Sequence, residues 1–291
     1  MPKRLPRART LKGEPPLAHY DSGSGAQGEP AILLIHSSTT RSEDWENIFP
    51  RLATRYRTVA YDQRGHGKSG RATDYSLRAF GDDAVRVLRA ILKTPTIIVG
   101  HSLGALAAIG AAAEAPDLVL ALVLEDPPLG YMKGWDPARA QAIGDAIAKV
   151  EDPKQFLRAV EKLPLASPGP RGERTFGESR GFYAAERMAT YIRDVDPAYP
   201  AFRASGPDEA GVAALAEWLP RVACPTLVIA GEPRLGSNLD DAGEWRLKQT
   251  IKQLTVKRFP GTGHLIHGYR PEQFLENIEP FLRRLREAPV T

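Results

Sequence analysis

The sequence predicts an α/β protein: a mostly parallel, doubly wound sheet with an all-helical segment inserted between two of its strands. Three observations predict it. Short apolar runs alternate with stretches whose apolar residues recur at helical spacing, the pattern of a parallel sheet covered on both faces. That alternation stops between about Pro128 and Leu219, where no strand-like run occurs, and then resumes. At the centre of the pattern, Thr96-Ile97-Ile98-Val99 runs straight into Gly100-His101-Ser102-Leu103-Gly104, with an alanine-rich helical pattern directly behind it.

The elements follow in order. Residues 1–14 carry Lys3, Arg4, Arg7, Arg9 and Lys12 against the single acid Glu14, and read as a solvated, disordered basic tail. Leu17-Ala18-His19-Tyr20 is a short strand, ended by the Gly- and Ser-rich loop from Asp21 to Gly28. Ala31 to Ile35 is continuously apolar, as a strand buried on both faces requires. It stops at His36-Ser37-Ser38-Thr39-Thr40, after which Trp45, Ile48 and Leu52 suggest a helix. The strand Thr58 to Tyr61 leads into Asp62-Gln63-Arg64-Gly65-His66-Gly67-Lys68-Ser69-Gly70, and a helical pattern runs from Leu77 to Ile91. Behind the serine strand and its helix, Leu120 to Leu124 reads as the next strand and ends at Glu125-Asp126-Pro127-Pro128.

Within the insertion, Asp136-Pro137 and Asp152-Pro153 look like helix starts, with Asp as cap and Pro in the first turn. Thr226 to Ala230 and Leu254 to Phe259 are the last strands, and an amphipathic helix runs from Pro271 past Phe281, with a bend expected at Pro280. The expected division is a body of residues 15–128 and 220–291 and a helical insertion of residues 129–219.

Composition excludes several classes. The net charge of +4 and the pI of 9.1 come from the tail; without it, basic and acidic side chains balance. No basic stripe with interleaved aromatics suggests a nucleic-acid groove. The most apolar region, Leu103 to Leu124, is cut by Glu114, Pro116 and Asp117 and is too broken to span a bilayer. No apolar run follows the basic tail, so no secretory leader is expected. The single cysteine, Cys224, excludes an internal disulfide, and a reducing, cytoplasmic setting fits best. Oligomeric state is not legible.

The serine turn carries the chemistry. Gly100 and Gly104 remove side chains that so tight a turn cannot hold. The turn exposes the Ser102 hydroxyl and aims the N–H groups that open the next helix at the same point. A serine hydroxyl needs a base, usually histidine, held by a third group. His101 and His66 read as structural. His264, in Pro260-Gly261-Thr262-Gly263-His264 after the last strand, lies on a loop at the sheet edge where Ser102 emerges. His267 competes with it, but the pair lacks a third ligand for a metal, and no cofactor is expected. Gly65 to Gly70 mimics nucleotide-binding loops, but the preceding glycine of a Walker loop is Asp62 here, and no helix opens behind the motif.

The chain from Leu17 to Arg286 resembles the α/β-hydrolase fold superfamily. The Ser102 elbow, the Asp62-to-Ser69 loop, the Gly261-Thr262-Gly263-His264 segment and the insertion, placed like that family's cap, carry the resemblance. It implies the backbone N–H groups of Ser38 and Leu103 as oxyanion donors. Where relatives carry glycine after the strand's histidine, Ser37 stands here, narrowing the site or adding a hydroxyl. Most relatives place the acid three residues beyond the glycine that follows the next-to-last strand, but Gly231-Glu232-Pro233-Arg234 puts arginine there. Other members take the acid from the end of the preceding strand, which implies Asp126, with Glu125 and Glu232 as the alternatives.

The expectation is an acyl hydrolase with a Ser102–His264–Asp126 triad acting on a small molecule. The insertion's aromatic residues, Tyr131, Trp135 and Tyr183 among them, suggest a medium-sized apolar or aromatic ester or lactone, with Ser37 as a further substrate contact. Phe182, Met188, Tyr191, Phe202 and Trp218 are further roof candidates. A carbon–carbon bond hydrolase on the same triad, and a non-catalytic ligand-binding member of the fold, are the alternatives.

Overall fold

The structure, a computed structural model, describes residues 5–130, 137–165, 171–179, 184–206 and 208–287. Among these, β1 (Arg9–Leu11), β2 (Leu17–Asp21), β3 (Ala31–Ile35), β4 (Thr58–Tyr61), β5 (Thr96–His101), β6 (Val119–Glu125), β7 (Thr226–Ala230) and β8 (Leu254–Arg258) form one sheet. Its order is β1-β2-β4-β3-β5-β6-β7-β8. Pairing is parallel from β4 through β3 to β8, and antiparallel at β2–β4 and β1–β2.

The helices are α1 (Phe49–Leu52), α2 (Leu77–Val87), α3 (Leu103–Glu114), α4 (Pro137–Lys149), α5 (Pro153–Lys162), α6 (Ala185–Arg193), α7 (Ala198–Ala204), α8 (Glu209–Trp218), α9 (Asp241–Thr250), α10 (Ile266–Tyr269) and α11 (Pro271–Glu287).

Burial of both faces explains the continuous apolar runs. Because side chains alternate along a strand, Leu33, Ile35, Ile98, Leu122 and Val228 face one cluster, which includes α2 and α3. Ile32, Leu34, Ile97, Val99, Val123 and Ile229 face the other, with Trp45, Phe49, Phe274 and Ile278. Each fully buried aliphatic side chain contributes about 1.5–3 kcal/mol relative to exposure.

Between β6 and β7 come α4 to α8. Met188 and Tyr191 pack with Ile143, Phe156 and Val160 in a core of the insertion's own, while Tyr199, Leu215 and Trp218 join the body's core. Asp152 caps α5 by accepting from the Gln155 N–H at 2.8 Å, and α4 begins at Pro137.

Two expectations are corrected. Arg9–Leu11, assigned to a disordered tail, is a strand: Arg9 pairs with His19 and Leu11 with Leu17. It is mostly exposed and held by backbone pairing, which leaves no apolar pattern to read. The helix expected around Trp45 is a 3₁₀ turn, Ser42–Trp45, followed by the single turn α1. The last helix runs from Pro271 past Phe281, as expected, with Pro280 inside it.

The site is positioned by topology. From β3 the chain goes to β4 on one side, and from β5 to β6 on the other. The strand order therefore reverses between β3 and β5, and a crevice opens outside their carboxyl ends. His36 to Thr40 leave β3 at that crevice, and Ser102 leaves β5.

Candidate active site

Ser102 has φ 54° and ψ −115°, a sparsely populated conformation that persists only where its surroundings enforce it. They do. A Cβ on Gly100 would lie 2.4 Å from the Gly104 carbonyl oxygen, and one on Gly104 would lie 2.3 Å from that of Ile35. The two glycines let α3 start directly against β3 and β5. The Ser102 N–H donates to the Glu125 carbonyl at 2.9 Å, tying the turn to β6. Leu103 opens α3, and a first-turn N–H has no acceptor within its own helix.

Asp126 follows the last residue of β6 and is fully buried, with φ 47°, a conformation Asp tolerates better than most residues. Its Oδ2 lies 2.5 Å from His264 Nδ1 and accepts from the Asn238 N–H at 2.7 Å, while Oδ1 accepts from the Ser237 hydroxyl. With three donors around it, the carboxylate is fixed as an acceptor, so Nδ1 of His264 carries the proton and Nε2 is left to accept. The Asn238 amide nitrogen lies 3.1 Å from Nδ1 and 3.2 Å from Nε2. Being nearly equidistant, it rests against the ring rather than in line with either nitrogen.

The backbone of His264 is also held. His101 Nε2 lies 3.0 Å from the His264 carbonyl oxygen, and the two rings are 4.7 Å apart. His101 directly precedes Ser102, and β5 pairs His101 with Glu125. Ser102 and Asp126, at the ends of neighbouring strands, and His264, bonded to Asp126 and to His101, therefore lie at one rim of the sheet. Neither Glu125 nor Glu232 is hydrogen-bonded to the His264 ring. Glu125 is buried against His267, and Glu232 pairs with Arg234 and accepts from the Gly261 N–H.

The loop after β3 is shaped by two buried histidines. His36 Nδ1 donates to the Ser37 carbonyl at 2.7 Å, and its Nε2 accepts from the Gln63 N–H at 2.9 Å. His66 Nδ1 donates to the Arg64 carbonyl at 2.8 Å, and its Nε2 accepts from the Thr39 N–H at 3.3 Å. Burial pushes these imidazoles down, His36 to about 4 and His66 to about 3, so both are neutral and can accept. They fasten residues 36–39 to the Asp62–Ser69 loop. Within that loop Asp62 accepts from the Ser42 and Lys68 N–H groups, each at 2.9 Å.

The Ser37 hydroxyl donates to the Ser38 carbonyl at 3.3 Å, inside its own loop. The Ser38 hydroxyl lies 2.7 Å from the Tyr199 hydroxyl of α7.

Of the aromatic candidates, Tyr131, Trp135, Phe182 and Tyr183 lie outside the described residues. Met188 and Tyr191 serve the insertion's core, and Trp218 packs against Gly81 and Gly110 and donates to Glu114; these are structural positions. Three residues at the site were not singled out by the sequence. Ser237 and Asn238 follow β7, whose loop must cross the same rim. Asp196-Pro197, just before Tyr199, repeats the helix-start signature read at Asp136 and Asp152. Among the described residues, no three or more His, Cys, Asp or Glu cluster closely enough to hold a metal ion, and no helix is long and apolar enough to cross a membrane.

A mostly parallel sheet with a helical insertion, a serine on a strained strand-to-helix turn and a histidine–aspartate pair at the same rim define the class. The chain belongs to the alpha/beta hydrolase family, whose model matches residues 32–277, and hydrolysis is the class of chemistry that its family and relatives support. It is similar to the 2-(acetamidomethylene)succinate hydrolase of Mesorhizobium japonicum, with 29% identity over 273 residues, covering 90% of each chain. Among solved structures it is similar to Est816, an N-acyl homoserine lactone degrading enzyme, with a TM-score of 0.73 and 21% identity over 94% of this chain and 100% of that one. It is also similar to an E-2-(acetamidomethylene)succinate hydrolase, with a TM-score of 0.69 and 24% identity over 95% and 99%.

Proposed function

We propose that the protein is a serine hydrolase that passes the acyl group of a small carboxylic ester or lactone to Ser102 and then to water. One observation carries this reading: a fully buried Asp126 bonded to His264 Nδ1 at 2.5 Å, at the rim where Ser102 emerges.

In this mechanism Ser102 Oγ bonds to the acyl carbon while His264 Nε2 takes the serine proton. The Ser38 and Leu103 N–H groups stabilise the oxyanion; losing one such donor costs roughly 10²–10³ in turnover. The tetrahedral intermediate collapses as the proton passes from Nε2 to the leaving alcohol oxygen. Water then attacks the acyl-enzyme, giving its proton to Nε2, and the acid departs as serine is restored. Asp126 holds the reactive tautomer and supports the imidazolium.

The relative named for an acetamidomethylene succinate favours a second reading, an N-acyl enamine carrying carboxylates. The triad chemistry is unchanged, but nitrogen replaces oxygen as the leaving atom.

A fluorophosphonate probe tests the nucleophile: stoichiometric labelling that is abolished in Ser102→Ala and strongly slowed in His264→Ala is expected. No labelling of the wild-type protein would point to the non-catalytic alternative. Turnover of p-nitrophenyl esters, lactones, vinylogous diketones and N-acyl enamine dicarboxylates, with Ser102→Ala as control, then separates the substrate classes. Activity confined to the diketones would transfer the assignment to carbon–carbon cleavage.

A further inference from the structure

We infer that Glu125 is a positioning residue that sets the separation between Ser102 and His264. The inference rests on the serine hydrolase reading and concerns a residue outside the triad.

Glu125 is bonded at both ends. Its carbonyl accepts the Ser102 N–H at 2.9 Å. Its carboxylate reaches the segment just beyond His264: Oε1 accepts from the Ile266 N–H at 2.6 Å and the His267 N–H at 2.9 Å, and Oε2 lies 2.6 Å from His267 Nδ1. One residue therefore spans from the nucleophile's backbone to the base's loop. The next residue, Asp126, is bonded to the His264 ring itself. The two carboxylates that end β6 thus take the two histidines of His264-x-x-His267, one each.

The need for such an anchor is visible in the loop. His264 follows Gly261, at φ 71°, and Gly263, and glycines leave the backbone broad freedom. Against that freedom the imidazole is held by Asp126 and the His264 carbonyl by His101, and Glu125 fixes the backbone just beyond. His267 is fully buried and stacked on Trp45, with ring centroids 4.0 Å apart at 21°, so the anchor is set in the core beneath the sheet rather than in solvent.

A buried ion pair is weak evidence for stability, since desolvation offsets much of the attraction. Its directional bonds are a better reason for its presence. The Glu125 carboxylate lies well below the usual range, at about 2, drawn down against its burial by His267 and His101, and His267 is raised by Glu125. A displacement of 1 Å in a catalytic group costs on the order of 10² in rate.

Glu125→Gln keeps the side chain's shape and its acceptor for the two N–H groups, but presents an amide N–H to His267 Nδ1. The rate of Ser102 labelling by fluorophosphonate, per folded molecule, is expected to fall about 10- to 100-fold, with KM for p-nitrophenyl acetate changed less than about twofold. His267→Leu should fall alongside it. His267→Asn, which keeps a donor where Nδ1 sits, should return to within about threefold of wild type. Leu282→Ala, a core truncation on α11 away from the rim, supplies a comparable loss of Tm and should leave the labelling rate unchanged.

If Glu125→Gln and His267→Leu label as fast as wild type, the positioning role is overturned. A Leu282→Ala rate that falls with theirs overturns it too, because stability alone would then explain the effect. Should Glu125→Gln fail to fold, the two His267 variants decide between the same outcomes. Absence of labelling in wild type sinks the serine hydrolase reading itself, which keeps the two failures distinct.

Discussion

The Tyr199 hydroxyl on α7 lies 2.7 Å from the Ser38 hydroxyl, joining the insertion to the loop that leaves β3. Tyr199 is fixed from behind, with its ring 4.7 Å from that of His66 and 5.5 Å from that of Tyr75. Tyr199→Phe keeps this packing and removes only the bond. Since a net hydrogen bond contributes about 1 kcal/mol, Tm should drop by a few degrees while kcat/KM falls roughly three- to tenfold. Steady-state kinetics on an ester that wild type cleaves checks this; unchanged kcat/KM would mean that the bond does not set the loop.

Asp126→Asn should lower turnover by roughly 10³–10⁴-fold, because the amide favours the wrong imidazole tautomer. Glu232→Gln should leave turnover within about twofold, since Glu232 is bonded to Arg234 and the Gly261 N–H rather than to the histidine. The opposite ranking would transfer the acid's role.

Ser237→Ala removes one of the three donors that fix the Asp126 carboxylate. A hydrogen bond to a charged group contributes about 1.5–3 kcal/mol, so a loss of about tenfold in kcat is expected, intermediate between wild type and Asp126→Asn. Wild-type turnover in this variant would show that the Asn238 N–H and His264 suffice to orient the acid.

Gly104→Ala would place a methyl group 2.3 Å from the Ile35 carbonyl and 2.6 Å from that of His36. Both neighbours are backbone, so the strand must move. Destabilisation of about 3 kcal/mol is expected from such overpacking, read as a lower Tm by calorimetry. A Tm equal to that of wild type would show that α3 can shift away.

Acid should destabilise the fold in a defined window. His36, His66 and His101 are buried and pushed down, to about 4, 3 and 3. From pH 6.5 downward the unfolded chain binds protons that these side chains refuse in the native state, so stability falls as pH falls. Asp44, raised by burial to about 6, acts in the opposite direction, as do Glu43 and Asp82, also raised by burial, whereas His19, pushed down by burial, acts with the three histidines. His267, raised by Glu125, contributes stability below pH 6.5 that is lost as pH rises through its folded pKa. Unfolding at pH 5 should therefore take up protons, measurable as calorimetric enthalpies that vary with buffer ionisation. Net proton release at that pH would contradict the assignment.

Legibility in the sequence followed the range of each interaction. β3 and the Ser102 turn were readable because five apolar residues in a row and two glycines in five positions are local signals. β1 was not, because three mostly exposed residues owe their conformation to pairing with β2. Tyr199 was overlooked among the insertion's aromatics, although Asp196-Pro197 marks its helix, because no local pattern says which ring meets Ser38. Ser237 was missed for the same reason: it meets Asp126 across 111 positions of chain.

By itself the sequence determined the α/β layering, the serine at a strand-to-helix turn and the family resemblance, since hydrophobic period and glycine spacing act within a few residues. Tertiary structure alone decided which carboxylate takes which histidine. Glu125 and Asp126 are adjacent and chemically alike; alternation along the strand turns them to opposite sides, but which histidine meets each is set by partners 138 and 142 positions away in the chain.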